Sequence, residues 1–308
     1  MQTAFLFTGQ GSQFAGMGRE LAERYPAARE VFAIADEALG QPLSQMCFSG
    51  PDAELALTAN TQPATLAVAT AAYRALGRRP HVAAGHSLGE YAALVAAEAF
   101  ELGDAVRLVR ERARRMQEAV PVGVGGMVVL RKMTLDDAKR LVAGVTDGVC
   151  EIANVNAPGQ VVVSGETAGM RQLMQLAPPK AALELPVSVP FHCSLLQDAA
   201  AGFADVLAAV PMRDPAFPVW CNVDAKPVTT AAAARDALRR QFAGAVLWQA
   251  SLEGMLQAGV RRFVEFGPKA PLVKMAIQTA NHLSIEGVAT HAATTPEEIE
   301  AVRALDME

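Results

Sequence analysis

The sequence predicts an α/β protein in which a large unit built on a parallel sheet is interrupted by a small α+β unit. Three observations carry this reading. A nearly continuous apolar run from Thr3 to Phe7 ends in Thr8-Gly9-Gln10-Gly11, the pattern of a strand buried on both faces that runs into a glycine-bearing loop. Strand-like and helical segments then alternate βαβα up to Gly126, as they do along a parallel sheet. Between Met127 and Pro186 the order changes to βαββαβ, the ferredoxin-like signature of a compact insertion.

The elements follow in order. Helical periodicity runs from Met17 to Leu39 and again from Thr61 to Ala75. Pro63 suits the first turn of the second helix, where a missing N–H costs nothing. Val82-Ala83-Ala84 reads as a strand, followed by helices over Tyr91 to Ala97 and Gly103 to Ala119. In the small unit the strands are Met127 to Leu130, Cys150 to Val155, Gln160 to Val163 and Ala181 to Pro186, with helices Leu135 to Ala143 and Glu166 to Leu176. Strand patterns at Pro218 to Val223 and Arg262 to Phe266 return the chain to the larger sheet, and a helix starts within Thr230 to Ala234. The expected boundaries are 1–123 with 190–308 for the large unit and 124–189 for the small one.

Composition narrows the function classes. With 308 residues, half of them hydrophobic, the chain buries a full core without a disulfide or metal staple. Lys+Arg 27 against Asp+Glu 32 gives a net charge of −5, which argues against a phosphate-tracking surface and a nucleic-acid partner. Cys47, Cys150, Cys193 and Cys221 form no CxxC pair or zinc spacing, so they read as separate reduced thiols of a cytoplasmic protein without a metal site. Every apolar stretch is broken short of the ~18 residues of a membrane span, and no export segment is expected.

Gly85-His86-Ser87-Leu88-Gly89 matches G-x-S-x-G between a strand and a helix, the context that lifts a nucleophilic serine out of a sharp turn. Serine needs an adjacent base. His81 precedes the strand and His86 points away from its neighbour's Oγ, leaving His192, His282 and His291. His192 lies where the chain returns from the small unit, above the cleft between the two; His282 lies late in the chain, where α/β-hydrolases place their histidine. The charge-rich run Arg110 to Arg115 reads on composition as a solvated helix face, Gln10 as part of a Gly-x-Gly turn, and Asn156-Ala157-Pro158-Gly159 as a turn.

Seven motifs occur in order: Phe7-Thr8-Gly9-Gln10-Gly11-Ser12-Gln13, Asn60-Thr61-Gln62-Pro63, the elbow with Glu90, Arg112 before Met116-Gln117-Glu118-Ala119, Asn156 to Gln160, Pro190-Phe191-His192-Cys193, and Phe266-Gly267-Pro268. Together they resemble the malonyl-CoA:acyl carrier protein transacylase family, which includes the acyltransferase domains of fatty acid and polyketide synthases. The resemblance implies an α/β-hydrolase-like core with a ferredoxin-like insertion. It casts Ser87 as the nucleophile, His192 as general base and acid, the backbone N–H groups of Gln10 and Leu88 as the oxyanion hole, and Arg112 as the receptor of the acyl carboxylate. It also places a histidine-orienting main-chain carbonyl at Leu247, and Phe191 and Asn156 in the pocket. Leu88 and Phe191 suit malonyl better than methylmalonyl by the same analogy.

The resemblance further implies a coenzyme A thioester as substrate, malonyl-CoA as donor, no permanently bound cofactor, an acyl carrier protein as transient partner, and a monomer. Ala113, Lys269 and Ala270 depart from the family pattern and bear on the pocket and the carrier contact. Lys269, Lys274 and Arg78 are candidates for a basic rim facing anionic substrates. Three other readings stand beside this one: a serine hydrolase or editing thioesterase completed by Asp224 and His282, malonyl transfer as a subunit of a polyketide or malonate decarboxylase system, and a non-catalytic carrier-docking subunit.

Overall fold

The computed structural model describes residues 1–187 and 189–306. Its strands in chain order are β1 (Gln2–Phe7), β2 (Val82–Gly85), β3 (Gly125–Arg131), β4 (Cys150–Ala157), β5 (Gln160–Glu166), β6 (Ala182–Glu184), β7 (Val219–Cys221), β8 (Lys226–Val228), β9 (Val260–Phe266) and β10 (Ala289–Ala292). They form two sheets. The larger has the order β10-β9-β1-β2-β7-β8 and is parallel except for β8, which runs antiparallel to β7.

Strand β1 shows why this sheet is buried on both faces. Phe5 and Phe7 point into one apolar cluster, with helices Pro26–Leu39, Thr58–Leu76, Gly89–Ala96 and Leu102–Ala119. Ala4 and Leu6 point into the other, with helices Trp248–Gln257 and Leu272–His282. Successive side chains on a strand alternate faces, so a continuous apolar run serves both layers. Each buried phenylalanine contributes about 2 kcal/mol or more.

Phe7 is level with both Gly85 and Phe266, so the loops after β1, β2 and β9 leave the sheet at the same edge. That edge is where an open α/β sheet places its ligands.

The second sheet has the order β4-β5-β3-β6 and is antiparallel throughout, the arrangement expected of βαββαβ. Strand β4 also reaches the larger unit: Val155 N donates to Val246 O at 2.9 Å and Val246 N to Ala153 O at 2.8 Å. Among the described residues no helix is long and apolar enough to cross a membrane.

Two local expectations fail. The helix expected over Met17 to Leu39 is two helices, Arg19–Arg24 and Pro26–Leu39, with Tyr25 extended between them (φ −116°, ψ 118°). A residue before proline is driven out of the helical region by the ring. Helix Thr58–Leu76 begins a turn earlier than expected, so Pro63 lies inside it and cannot donate to Ala59. Strands β8 and β10 and the short helices Leu43–Ser49 and Asp52–Leu55 are additional elements; all four residues of β10 are half-buried, which leaves no alternation to read.

Candidate active site

Ser87 sits in the turn between β2 and helix Gly89–Ala96, at the edge where the loops converge. Its φ is +51°, a left-handed conformation that costs a non-glycine residue about 1 kcal/mol or more. Close approach explains the flanking glycines. A Cβ on Gly85 would lie 1.9 Å from the carbonyl of Gly89, and one on Gly89 would lie 2.0 Å from the carbonyl oxygen of Phe7.

Two amide side chains hold the strained turn. Asn222 Oδ1 accepts from Ser87 N at 2.6 Å while its Nδ2 donates to Gly85 O at 2.8 Å. Gln241 Nε2 donates to Ser87 O at 2.9 Å. Glu90 Oε2, fully buried, accepts from Asn222 N at 2.9 Å and Gln241 Nε2 at 2.8 Å. Burial pushes its carboxyl up to about 7.

His192 is the histidine that reaches the serine: Nε2 lies 2.7 Å from Ser87 Oγ. Its Nδ1 lies 3.1 Å from Gln241 O and 3.0 Å from Gly244 O. Carbonyl oxygens only accept, so Nδ1 carries the proton and Nε2 accepts from the serine hydroxyl. His192 also has a positive φ, +61°, and is 4% exposed. Burial, then the charges of Arg112 and His86, push it down to about 3.

The carbonyls facing His192 correct the expectation for Leu247. Leu247 precedes helix Trp248–Gln257, and its carbonyl is used by Ser251 N at 3.0 Å and Ser251 Oγ at 3.1 Å. The first turn of a helix consumes that acceptor. The late partners are corrected as well. Asp224 pairs with Arg240 at 2.6 Å, and His282 lines a separate cavity with Thr134 and Glu253. His81 accepts from Thr3 N at 3.1 Å, and His291 lies on β10.

Arg112 is 1% exposed, against its reading as part of a solvated face. Ala105, Val109, Arg112 and Met116 form the buried stripe of helix Leu102–Ala119, and their three- and four-residue spacing is the signal that composition alone concealed. Its Nη1 donates to Gln62 Oε1 at 2.8 Å, and its Nη2 to Gln241 Oε1 at 3.0 Å and Ser87 Oγ at 3.2 Å. Among the described residues Nε has no hydrogen-bond partner; the guanidinium carbon lies 5.5 Å from the centre of the Tyr91 ring, and Tyr91 and Glu90 interact with the guanidinium electrostatically. Burial holds its pKa below the usual arginine value.

Ser87, His192, Arg112, Gln10, Leu88 and Phe191 line one cavity of about 560 Å³. The backbone N–H groups of Gln10 and Leu88 donate to no atom of the chain among the described residues; the Gln10 side chain donates to Thr58 Oγ1 at 3.3 Å. Asn156 lines an adjoining cavity of about 290 Å³ instead. Its Oδ1 lies 2.8 Å from His86 Nε2, so His86 is turned away from Ser87 as expected and forms part of the wall between the cavities.

Lys269 Nζ lies 5.5 Å from the centre of the Phe14 ring, in the loop beside the cavity. Arg78 belongs elsewhere. It donates to Arg303 O and Leu305 O beyond the opposite end of β2, and so leaves the proposed rim. Among the described residues no cluster of His, Cys, Asp or Glu could hold a metal ion.

Gln241, Gly244 and Asn222 carry no signal in the sequence, since neutral residues more than a hundred positions from Ser87 meet it only through the fold. Glu90 was legible as a lone charge in an otherwise apolar helix.

The acyl transferase domain family matches residues 4–304. The malonyl CoA-acyl carrier protein transacylase of Bacillus subtilis (strain 168) is 41% identical over 305 residues, covering 96% of this chain and 95% of that protein. That of Salmonella typhimurium LT2 is 45% identical over 277 residues, 87% of this chain and 89% of the other. Among solved structures, an acyl-carrier-protein S-malonyltransferase from Burkholderia pseudomallei 1710b superposes with TM-score 0.94 at 40% identity, covering 99% of this chain and 100% of that one. A malonyl-transacylase in complex with a holo type II PKS acyl-carrier protein does so with TM-score 0.93 at 36% identity over 98% of each chain. The chain therefore belongs to the acyl transferase domain family, among the malonyl-CoA:acyl carrier protein transacylases.

Proposed function

We propose that this enzyme transfers a malonyl group from coenzyme A to the phosphopantetheine thiol of an acyl carrier protein through an ester on Ser87. The contact of Ser87 Oγ with the unprotonated Nε2 of His192, inside the cavity that also holds Arg112, carries the proposal.

The donor's carboxylate binds the guanidinium of Arg112 in fork geometry. Ser87 Oγ attacks the thioester carbonyl while its proton passes to His192 Nε2. The N–H groups of Gln10 and Leu88 receive the developing oxyanion. As the carbon–sulfur bond breaks, His192 returns the proton to the thiolate, and coenzyme A leaves as the free thiol. The carrier's thiol then gives its proton to His192, attacks the ester, and Ser87 recovers the proton. The carbonyls of Gln241 and Gly244 keep Nδ1 protonated in every step, the role an aspartate plays in a triad. The carboxylate on Arg112 also offsets the guanidinium charge that helps to depress His192, so the base strengthens when the donor is bound.

The reacting groups belong to the proposed large unit, 1–123 with 190–308, while Met127, Asn154 and Leu185 of the proposed small unit, 124–189, also line the cavity, with Phe191 at the return. We assign the enzyme to the cytoplasm on its four free thiols. It acts without a resident cofactor, since the proposed chemistry needs only side chains and main-chain amides, and as a monomer, since one chain supplies every one of those groups.

Incubation with labelled malonyl-CoA should place the label on Ser87 and release it only to a holo carrier protein. Absence of label, or release to water at the same rate without the carrier, would refute the transferase reading; the latter would favour the hydrolase.

A further inference from the structure

Arg112 differs from its neighbours in what it touches. On the same helix, Arg114 and Arg115 pair with the carboxylates of Glu111 and Glu118. The acceptors around Arg112 are the amide oxygens of Gln62 and Gln241 and the hydroxyl of Ser87, none of them charged. A buried guanidinium without a carboxylate is costly, and a protein that merely needed to satisfy Arg112 would supply one.

The orientation of both glutamines is fixed from behind. Gln241 Nε2 donates to Ser87 O and to Glu90 Oε2, which leaves Oε1 facing Arg112. Gln62 Nε2 faces Met116 Sδ at 3.7 Å, which turns its Oε1 the same way. Both glutamines are buried, at 1% and 0% exposure, so neither amide flips into solvent. Glu90, the carboxylate of this network, bonds to Gln241 and accepts no hydrogen bond from the guanidinium, which it reaches only through its charge.

We infer that Gln62 and Gln241 set the selectivity for carboxylated acyl donors, because they orient Arg112 through neutral oxygens and leave its charge free for the donor. They are positioning residues. The inference rests on the proposed role of Arg112 and extends it to the residues that decide whether a buried arginine is available to an anion. A carboxylate in place of either amide would satisfy the guanidinium internally and compete with the substrate.

Gln62→Glu is the cleaner variant, since a second carboxylate at Gln241 would face Glu90 and the Ser87 carbonyl. The measurement is the ratio of kcat/KM for covalent loading of Ser87 by malonyl-CoA and by acetyl-CoA, a neutral donor that shares the serine, the histidine and the coenzyme. A fall in this ratio of about 10- to 100-fold is expected in Gln62→Glu, the worth of one charge-assisted hydrogen bond. The loss should appear in KM for malonyl-CoA. Gln62→Met, which removes the anchor without adding charge, should lower the ratio by less.

A wild type that prefers malonyl with an unchanged ratio in Gln62→Glu would overturn the inference and leave the proposed function standing. So would equal losses in the two variants, which would reduce Gln62 to packing. A wild type that does not load malonyl would overturn the proposed function itself. If Gln62→Glu fails to fold, Gln241→Glu is measured in its place, with the same fall in ratio expected and an unchanged ratio overturning the inference.

Discussion

Replacing Arg112 by Ala tests the acyl-binding end of the cavity most directly. The wild-type side chain presents its guanidinium between Gln62, Gln241 and Ser87, buried and hydrogen-bonded only to uncharged acceptors. A charge-assisted hydrogen bond to a carboxylate is worth about 1.5–3 kcal/mol, and breaking a buried ion pair costs about 3–5 kcal/mol. At about 1.4 kcal/mol per tenfold, kcat/KM for malonyl loading should fall roughly 10²- to 10³-fold. Acetyl-CoA has no carboxylate to lose, and removing the cation beside His192 strengthens the base, so acetyl loading should hold or rise.

The variant also strands the oxygens of Gln62 and Gln241, at about 1–3 kcal/mol each. Its melting temperature should therefore drop while the fold persists. Loading is read by quenched-flow mixing and intact mass, with the label located on Ser87, and the malonyl-to-acetyl ratio cancels damage to the serine–histidine pair that both donors use. A ratio within about threefold of wild type, or equal losses for both donors, would refute the assignment of Arg112.

Two further outcomes are expected. The proposed base role of His192 requires a neutral imidazole, and burial, with the charge of Arg112 next, carries its pKa down to about 3; kcat/KM for malonyl-CoA, measured after brief pH jumps, should therefore stay level well below pH 6, whereas a decline centred near 6.5 would contradict the buried geometry. Glu265, buried with Thr8 Oγ1 at 2.9 Å and Val273 N at 2.8 Å, is pushed up to about 8 by desolvation. The unfolded chain loses this proton near 4.5 and the folded chain near 8, so the unfolded state binds fewer protons between them and stability falls as pH rises, by about 5 kcal/mol at most. Glu265→Gln should remove that slope, and its melting temperature relative to wild type should climb by roughly 5–10 °C between pH 5 and 8.5; a constant difference would refute the raised value.

The sequence by itself determined what local patterning and short motifs encode. The run Ala4 to Phe7 is apolar at every position, so a strand formed there offers apolar side chains to both faces, the pattern of a central strand. The βαββαβ order specified the second sheet down to its strand sequence. The spacing of Gly85, Ser87 and Gly89 specified the elbow, because each glycine stands where a Cβ would meet backbone at about 2 Å.

What tertiary structure decided was which groups meet around Ser87. Main-chain carbonyls are identical at every residue, so no pattern distinguishes Gln241 and Gly244 from Leu247; only the course of the chain past His192 does, and the helix that begins at Trp248 takes the Leu247 carbonyl away. Arg112 was written among arginines that stay exposed or half-buried and is separated from them only by the helical rotation that turns it, with Val109 and Met116, into the core. Asn156 passed to the far side of His86 for the same reason: a turn motif fixes the backbone, while the neighbouring sheet decides which cavity the side chain enters. Hydrophobic periodicity is written along the chain, whereas the charge and hydrogen-bond partners of a buried polar group are supplied by residues that are distant in sequence and adjacent only once it has folded.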